Sequence, residues 1–159
     1  MYAVTTPHDK RLAQLNAKLS ATLLAAGSHS DRRRAAARLM ANRTLGTTAQ
    51  AESATYRART GRLDSKDLLT QLARGRKLDS FKANELPPAV AAKPKPARAA
   101  YVAGVRRRRA ALRAEIAKLA KSRDAYLARK RKSRRGPTSF DDTIGSALKV
   151  QGGRAGLSY

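Results

Sequence analysis

Three runs of cations carry the densest chemistry in this sequence: Arg32-Arg33-Arg34, Arg106-Arg107-Arg108-Arg109, and Arg129-Lys130-Arg131-Lys132 continuing into Arg134-Arg135. Groups of this kind suit the neutralisation of phosphate. A guanidinium meets phosphate oxygens with paired donors in a fixed fork, and each phosphate so met releases condensed counterions. Four consecutive residues of a helix point around its whole circumference, so these turns are expected to be solvated or surrounded by phosphate. An unbroken helix from Arg107 to Lys130 would run about 35 Å at ~1.5 Å per residue, which would carry two clusters to separate phosphates. Arg32, Arg33 and Arg34 would fall in the first turn of a helix, where cations oppose the dipole and an external anion would relieve them.

Other chemistries find little support. His8 and His29 are the only histidines, one beside a helix start and one between two serines, and both read as solvated side chains. Asp141-Asp142 reads as helix capping, because adjacent residues on a starting helix diverge. Gly152-Gly153 lacks the strand and the Lys-Ser/Thr context of a phosphate loop. With no cysteine there is no thiolate nucleophile and no cysteine-based zinc site. No catalytic residue, metal ligand, cofactor or small-molecule substrate is expected. No helix-turn-helix, zinc-finger or aromatic RNA-binding signature suggests base reading, so backbone contact is the expected mode, to DNA or RNA. Tyr56, Tyr101 and Tyr126 are expected to be half-buried helix residues rather than stacking platforms.

The whole chain supports the same emphasis. Its formal net charge is +24, from 35 Lys+Arg against 11 Asp+Glu in 159 residues. Self-repulsion of that size destabilises a compact state unless something negative offsets it. Bulky apolar residues are few, at 18 Leu, 5 Val, 2 Ile and 2 Phe. Chains of that composition bury too little surface to offset their ordering entropy, so an extended, partner-ordered chain is expected rather than a compact globule. No apolar run approaches the roughly 20 residues of a membrane span. The N-terminus lacks the apolar core of a secretory signal. The expected location is a virion or the cell interior, cytoplasm or nucleoid.

The elements that must position these residues read as mainly α. Thr6 and Pro7 open a first helix, and Leu12, Leu15, Leu19 and Leu23 mark one narrow apolar face of it, with Gly27 as its stop. Ser28 and Asp31 form a capping box for a second helix, with Leu39 and Met40 on its apolar side. Residues 47–62 suggest a helix with an alanine face, and Asp67 closes a capping phrase before Leu68, Leu69 and Leu72. Residues 1–86 thus form a helical N-terminal region. Pro87-Pro88 and Lys93-Pro94-Lys95-Pro96 make residues 87–97 a linker of extended polyproline character. A long basic helix follows over 98–135, with Val105, Leu112, Leu119 and Tyr126 spaced at sevens. The companion seam positions fall largely on Arg108 or Arg109, Glu115, and Ser122 or Arg123, which leaves the seam half-built. Residues 136–159 hold a short capped helix and a glycine-rich tail ending in two apolar anchors, Leu157 and Tyr159.

The phrase Ser146-Ala147-Leu148-Lys149-Val150, followed by Gly152-Gly153-Arg154-Ala155-Gly156-Leu157-Ser158-Tyr159, resembles the C-terminal ends of small basic virion proteins of short-tailed bacteriophages. That resemblance implies a non-enzymatic structural or assembly role in the head, the tail or the ejected internal material. A ribosomal or other ribonucleoprotein component is the alternative, and a scaffold or adaptor is a third. For the scaffold, protein partners would be held by the apolar helix faces (Leu12, Leu15, Leu19, Leu23, Val105, Leu112, Leu119, Tyr126) and by Leu157 and Tyr159. The leading expectation is a structural protein that meets nucleic acid and neighbouring proteins inside a large assembly.

Overall fold

The computed structural model, which describes residues 4–134, bears out a mainly α chain. The helices are α1 (Asp9–Ser20), α2 (His29–Arg43), α3 (Thr47–Thr60), α4 (Leu68–Ala73), α5 (Pro88–Ala91) and α6 (Lys95–Arg134), with a single 3-10 turn at Leu78–Ser80. One isolated bridge, Ala25 to Asp67, is the only extended pairing among the described residues. The chain divides into two units, residues 1–123 and 124–159. The short helix and tail expected over 136–159, together with Arg135, Leu157 and Tyr159, lie outside the described residues, as does the side chain of Arg134.

The first unit is built around two apolar clusters. In one, Leu12, Leu15 and Leu19 of α1 meet Ala51, Ala54 and Ala58 of α3 and Ile116 of α6. Alanine is poor core material by area, yet three alanines at helical spacing give α3 a flat face on which the α1 leucines lie. The second cluster gathers Leu24, Ala26, Leu68, Leu69, Phe81, Leu86, Val90 and Val102. Within residues 1–123 the scarce bulky residues are pooled in these two clusters rather than spread.

Several boundaries differ from expectation. The α1 helix stops at Ser20, because the Thr22 hydroxyl and N–H both turn back to the Leu19 carbonyl at 2.6 and 3.1 Å. Leu23 therefore falls outside the helix and is half-buried, while Leu24 takes the core position. Gly27 does not end α1. It sits at φ +113°, next to the α2 cap, where an added Cβ would come within 3.1 Å of the Asp31 carboxylate. The capping box itself forms, with the Asp31 N–H on the Ser28 hydroxyl at 3.1 Å and the Ser28 N–H on the Asp31 carboxylate at 3.3 Å.

The segment 87–97 is helical at both ends rather than extended. Pro87 is the N-cap of α5 and Pro88 its first residue, and Pro96 lies in the first turn of α6. First-turn positions have no intrahelical acceptor for their N–H, so a proline there loses no bond. Val90 is fully buried in the second cluster, which fixes this segment to the core.

The seven-residue seam of α6 is also displaced. Val105, Leu112 and Leu119 are half-buried flanks, while the buried centre line runs Val102, Arg109, Ile116, Arg123. Truncating Ile116 to alanine is expected to cost about 2–5 kcal/mol of unfolding free energy, and the half-buried Leu119 distinctly less, both read from urea titrations.

Candidate nucleic-acid interface

Two of the centre-line positions on α6 are arginines, and burying a charge is costly unless it is paired and fully hydrogen-bonded. Arg109 is 5% exposed and Asp67 is completely buried. Arg109 Nη1 donates to Asp67 Oδ2 at 2.6 Å and Nη2 to Oδ1 at 3.1 Å, a two-pronged pairing. Its remaining donors reach the Thr22 hydroxyl at 3.1 Å and the Thr22 carbonyl at 2.6 Å. Asp67 also accepts from the Leu24 N–H and caps α4 through the Thr70 N–H, both at 3.2 Å. Seven residues before Arg109 the seam is Val102, and seven after it is Ile116; the next step is Arg123, whose Nε donates to the buried Asp9 carboxylate at 2.8 Å. Glu52, mostly exposed, lies 3.5 Å from the same guanidinium.

Asp9 also accepts from the Thr6 hydroxyl at 2.6 Å, the Thr6 N–H at 3.1 Å and the Thr48 hydroxyl at 3.1 Å. Burial pushes the Asp9 pKa up, but the donors from Thr6, Arg123 and Thr48 outweigh it and hold the carboxyl below its ordinary 3.8. Asp64 follows the same pattern: burial raises it, and the Arg38 fork (2.8 and 3.0 Å) with the Lys66 N–H brings it below normal.

The cations assigned to phosphate therefore separate into two groups. Arg109 is removed from the assignment, because the helical turn sends it inward while its three neighbours point out. Arg32 is also committed to the protein: its Nη1 donates to the carbonyls of Gly27 (3.0 Å) and Asn84, which gives that first-turn cation its partner without an external anion. Arg33, Arg34, Arg106, Arg107 and Arg108 are exposed, as are Arg129, Lys130, Arg131 and Lys132 in the second unit. Lys130 there lies over the half-buried Tyr126 ring, 6.0 Å from its centre. Tyr101 is half-buried as expected, but Tyr56 is 67% exposed. His8 lies in the turn before α1, and His29 is the exposed first residue of α2.

The apolar residues assigned to a protein partner are mostly used internally. Leu12, Leu15 and Leu19 are fully buried against α3 and α6, and Val105, Leu112 and Leu119 pack on the two clusters.

Sequence reasoning missed a concave surface. A cleft of about 610 Å³ opens between the end of α3, α4 and α6, lined by Arg62, Arg74, Arg106, Arg109 and Arg113 with no carboxylate in its wall. Arg113 is fixed there by donating twice to the Ala58 carbonyl, at 3.0 and 2.9 Å. Gly61, in the left-handed region at φ +70°, leaves room for that guanidinium, which an added Cβ would meet at 3.1 Å. The arginines converge from three separate stretches of the chain, and only Arg106 and Arg109 belong to a run visible in the sequence. No family model, curated protein or solved structure matches the chain.

Two outcomes test the buried pairs. Replacing Arg109 or Asp67 singly by alanine is expected to cost about 3–5 kcal/mol, and the double replacement less than the two together, in urea unfolding. Arg107→Ala, two residues away on the outer face, is expected to stay within about 0.5 kcal/mol. Since Asp9 is depressed in the folded state, its contribution is whole above pH 3.8 and is lost as pH falls through the lower folded value. Urea midpoints taken at successively lower pH should fall in that acid range, and Asp9→Asn should flatten the fall while lowering the midpoint at neutral pH.

Proposed function

We propose that this protein is a non-enzymatic structural component of a large assembly that contacts nucleic-acid phosphates at several separated points without reading base sequence. The observation that supports this most is how the few acids are used. Asp9, Asp31, Glu52, Asp64, Asp67, Glu85 and Glu115 each pair with a cation of the same chain. Folding thus commits seven of the 11 acids to six of the 35 Lys and Arg, and the exposed cations face outward with few acids left to balance them. A surface of that kind attracts polyanion through counterion release, a term indifferent to sequence.

The C-terminal resemblance makes a phage virion the favoured assembly, with a place in the head, the tail or the internal material. The scaffold reading is less favoured because, of the residues that would hold a protein partner, Leu12, Leu15, Leu19, Val105, Leu112 and Leu119 pack within the first unit. Among the described residues no helix is long and apolar enough to cross a membrane.

Retention on nucleic acid should fall steeply from low to moderate salt and disappear on nuclease treatment. Arg33, Arg34, Arg107 and Arg108 replaced together by glutamine should lower the slope of log affinity against log salt by about 0.9 for each duplex phosphate they had neutralised, equally for unrelated sequences. Binding that ignores both salt and nuclease would sink the proposal, and a sequence-dependent weakening would sink its backbone-only form.

A further inference from the structure

The cleft between α3, α4 and α6 differs in kind from the rest of the basic surface. The exposed runs present cations outward, as suits contact along a duplex. The cleft instead gathers five arginines into the wall of one open recess. Arg109 is neutralised by Asp67, and Arg113 sits on the Ala58 carbonyl. The carbonyl ends of α3 and α4 contribute at most about half a negative charge each. Arg62, Arg74 and Arg106 are exposed and add three whole positive charges, so the balance stays firmly positive. Leu69, Leu72, Ala73 and Ala110 add apolar wall beside them.

Charge and apolar wall together define the ligand class. A bare anion such as sulfate would leave the apolar side empty, and a purely apolar ligand would leave the arginines unsatisfied. Clefts of roughly 300–1,000 Å³ take molecules of nucleotide size, and 610 Å³ falls inside that range. A duplex keeps its bases stacked behind two backbones and offers nothing that enters such a recess, whereas an unpaired nucleotide brings phosphates and a flat ring face together. We propose that this cleft is a nucleotide site, with Arg62, Arg74 and Arg106 on the phosphates and Leu72 and Ala73 against the base. It rests on the reading of this protein as a nucleic-acid binder and adds a preference for unpaired strands at one place. Arg109 and Arg113 are positioning residues: each is held by the protein and shapes the wall from which the other three reach.

The test uses the full chain, a short fluorescent thymidylate strand, and a blunt duplex of matching length. Two triple variants remove equal charge: Arg62→Gln, Arg74→Gln and Arg106→Gln in the cleft, against Arg33→Gln, Arg34→Gln and Arg107→Gln outside it. All six residues are exposed, so both variants should keep the parent circular-dichroism spectrum and urea midpoint. The cleft variant should lose about ten-fold or more of its single-strand affinity, while the outer variant loses clearly less and the duplex is weakened alike by both. Competition assigns the source: a nucleoside triphosphate that displaces the strand from the parent chain, and whose own binding is abolished in the cleft variant, identifies a free nucleotide as an alternative occupant. Inorganic pyrophosphate competing as well as the triphosphate would refute the base contact and with it the nucleotide site. Equal weakening of single-strand binding in the two variants overturns the cleft while leaving nucleic-acid binding intact. Failure of the parent chain to bind either probe at low salt overturns both.

Discussion

Asp67 and Arg109 form the contact on which the first unit turns. The carboxylate caps α4, holds the Leu24 N–H beside it, and receives the two-pronged Arg109 fork, while Arg109 also closes the turn after α1 through Thr22. Three stretches distant in sequence are thereby tied at one buried point. Dehydrating two charges costs several kcal/mol for each ion, and only near-complete hydrogen bonding offsets it. The geometry meets that condition: no buried polar side-chain atom among the described residues lacks a partner.

The pair belongs to a pattern along α6. Val102 and Ile116 enter the two apolar clusters, and Arg109 and Arg123 enter the two carboxylates, in strict alternation at sevens. Such a helix has one register. A slip of seven residues would drive Arg109 among the α1 leucines and set Ile116 toward a carboxylate. A core of leucine and alanine alone would not penalise that slip so heavily. The scarcity of bulky apolar residues is thus compensated in specificity as well as in energy.

The element types were legible because local rules act locally. Ser28 and Asp31 cap α2 as their spacing dictates, and the alanine face of α3 is real. The proline segment was harder to place, since a proline within a helix's first turn and one in an extended linker have the same neighbours in sequence. The function of the buried acids was hidden for a different reason. Asp67 caps α4 and Asp9 is tied locally to Thr6, and a residue with one sufficient local role gives no sign of a second. The arginine seam was visible as an interruption at Arg109 and Arg123. Nothing near them in sequence signals that two carboxylates wait opposite. Arg106, Arg109 and Arg113 do lie at helical spacing on one face of α6, but the cleft stayed invisible because Arg62 and Arg74, which complete it, come from distant stretches.

The separation between those partners has a bearing on how the chain is made. Asp67 meets Arg109 across 42 residues, and Asp9 meets Arg123 across 114. During synthesis both carboxylates leave the ribosome long before the guanidinium groups that complete them. Until then α1 and α3 can pair, but Asp9 and Asp67 lack the guanidinium groups that neutralise them. Both buried pairs can be complete only once Arg123 has emerged, so the contacts that fix α6 are the last of the unit to form.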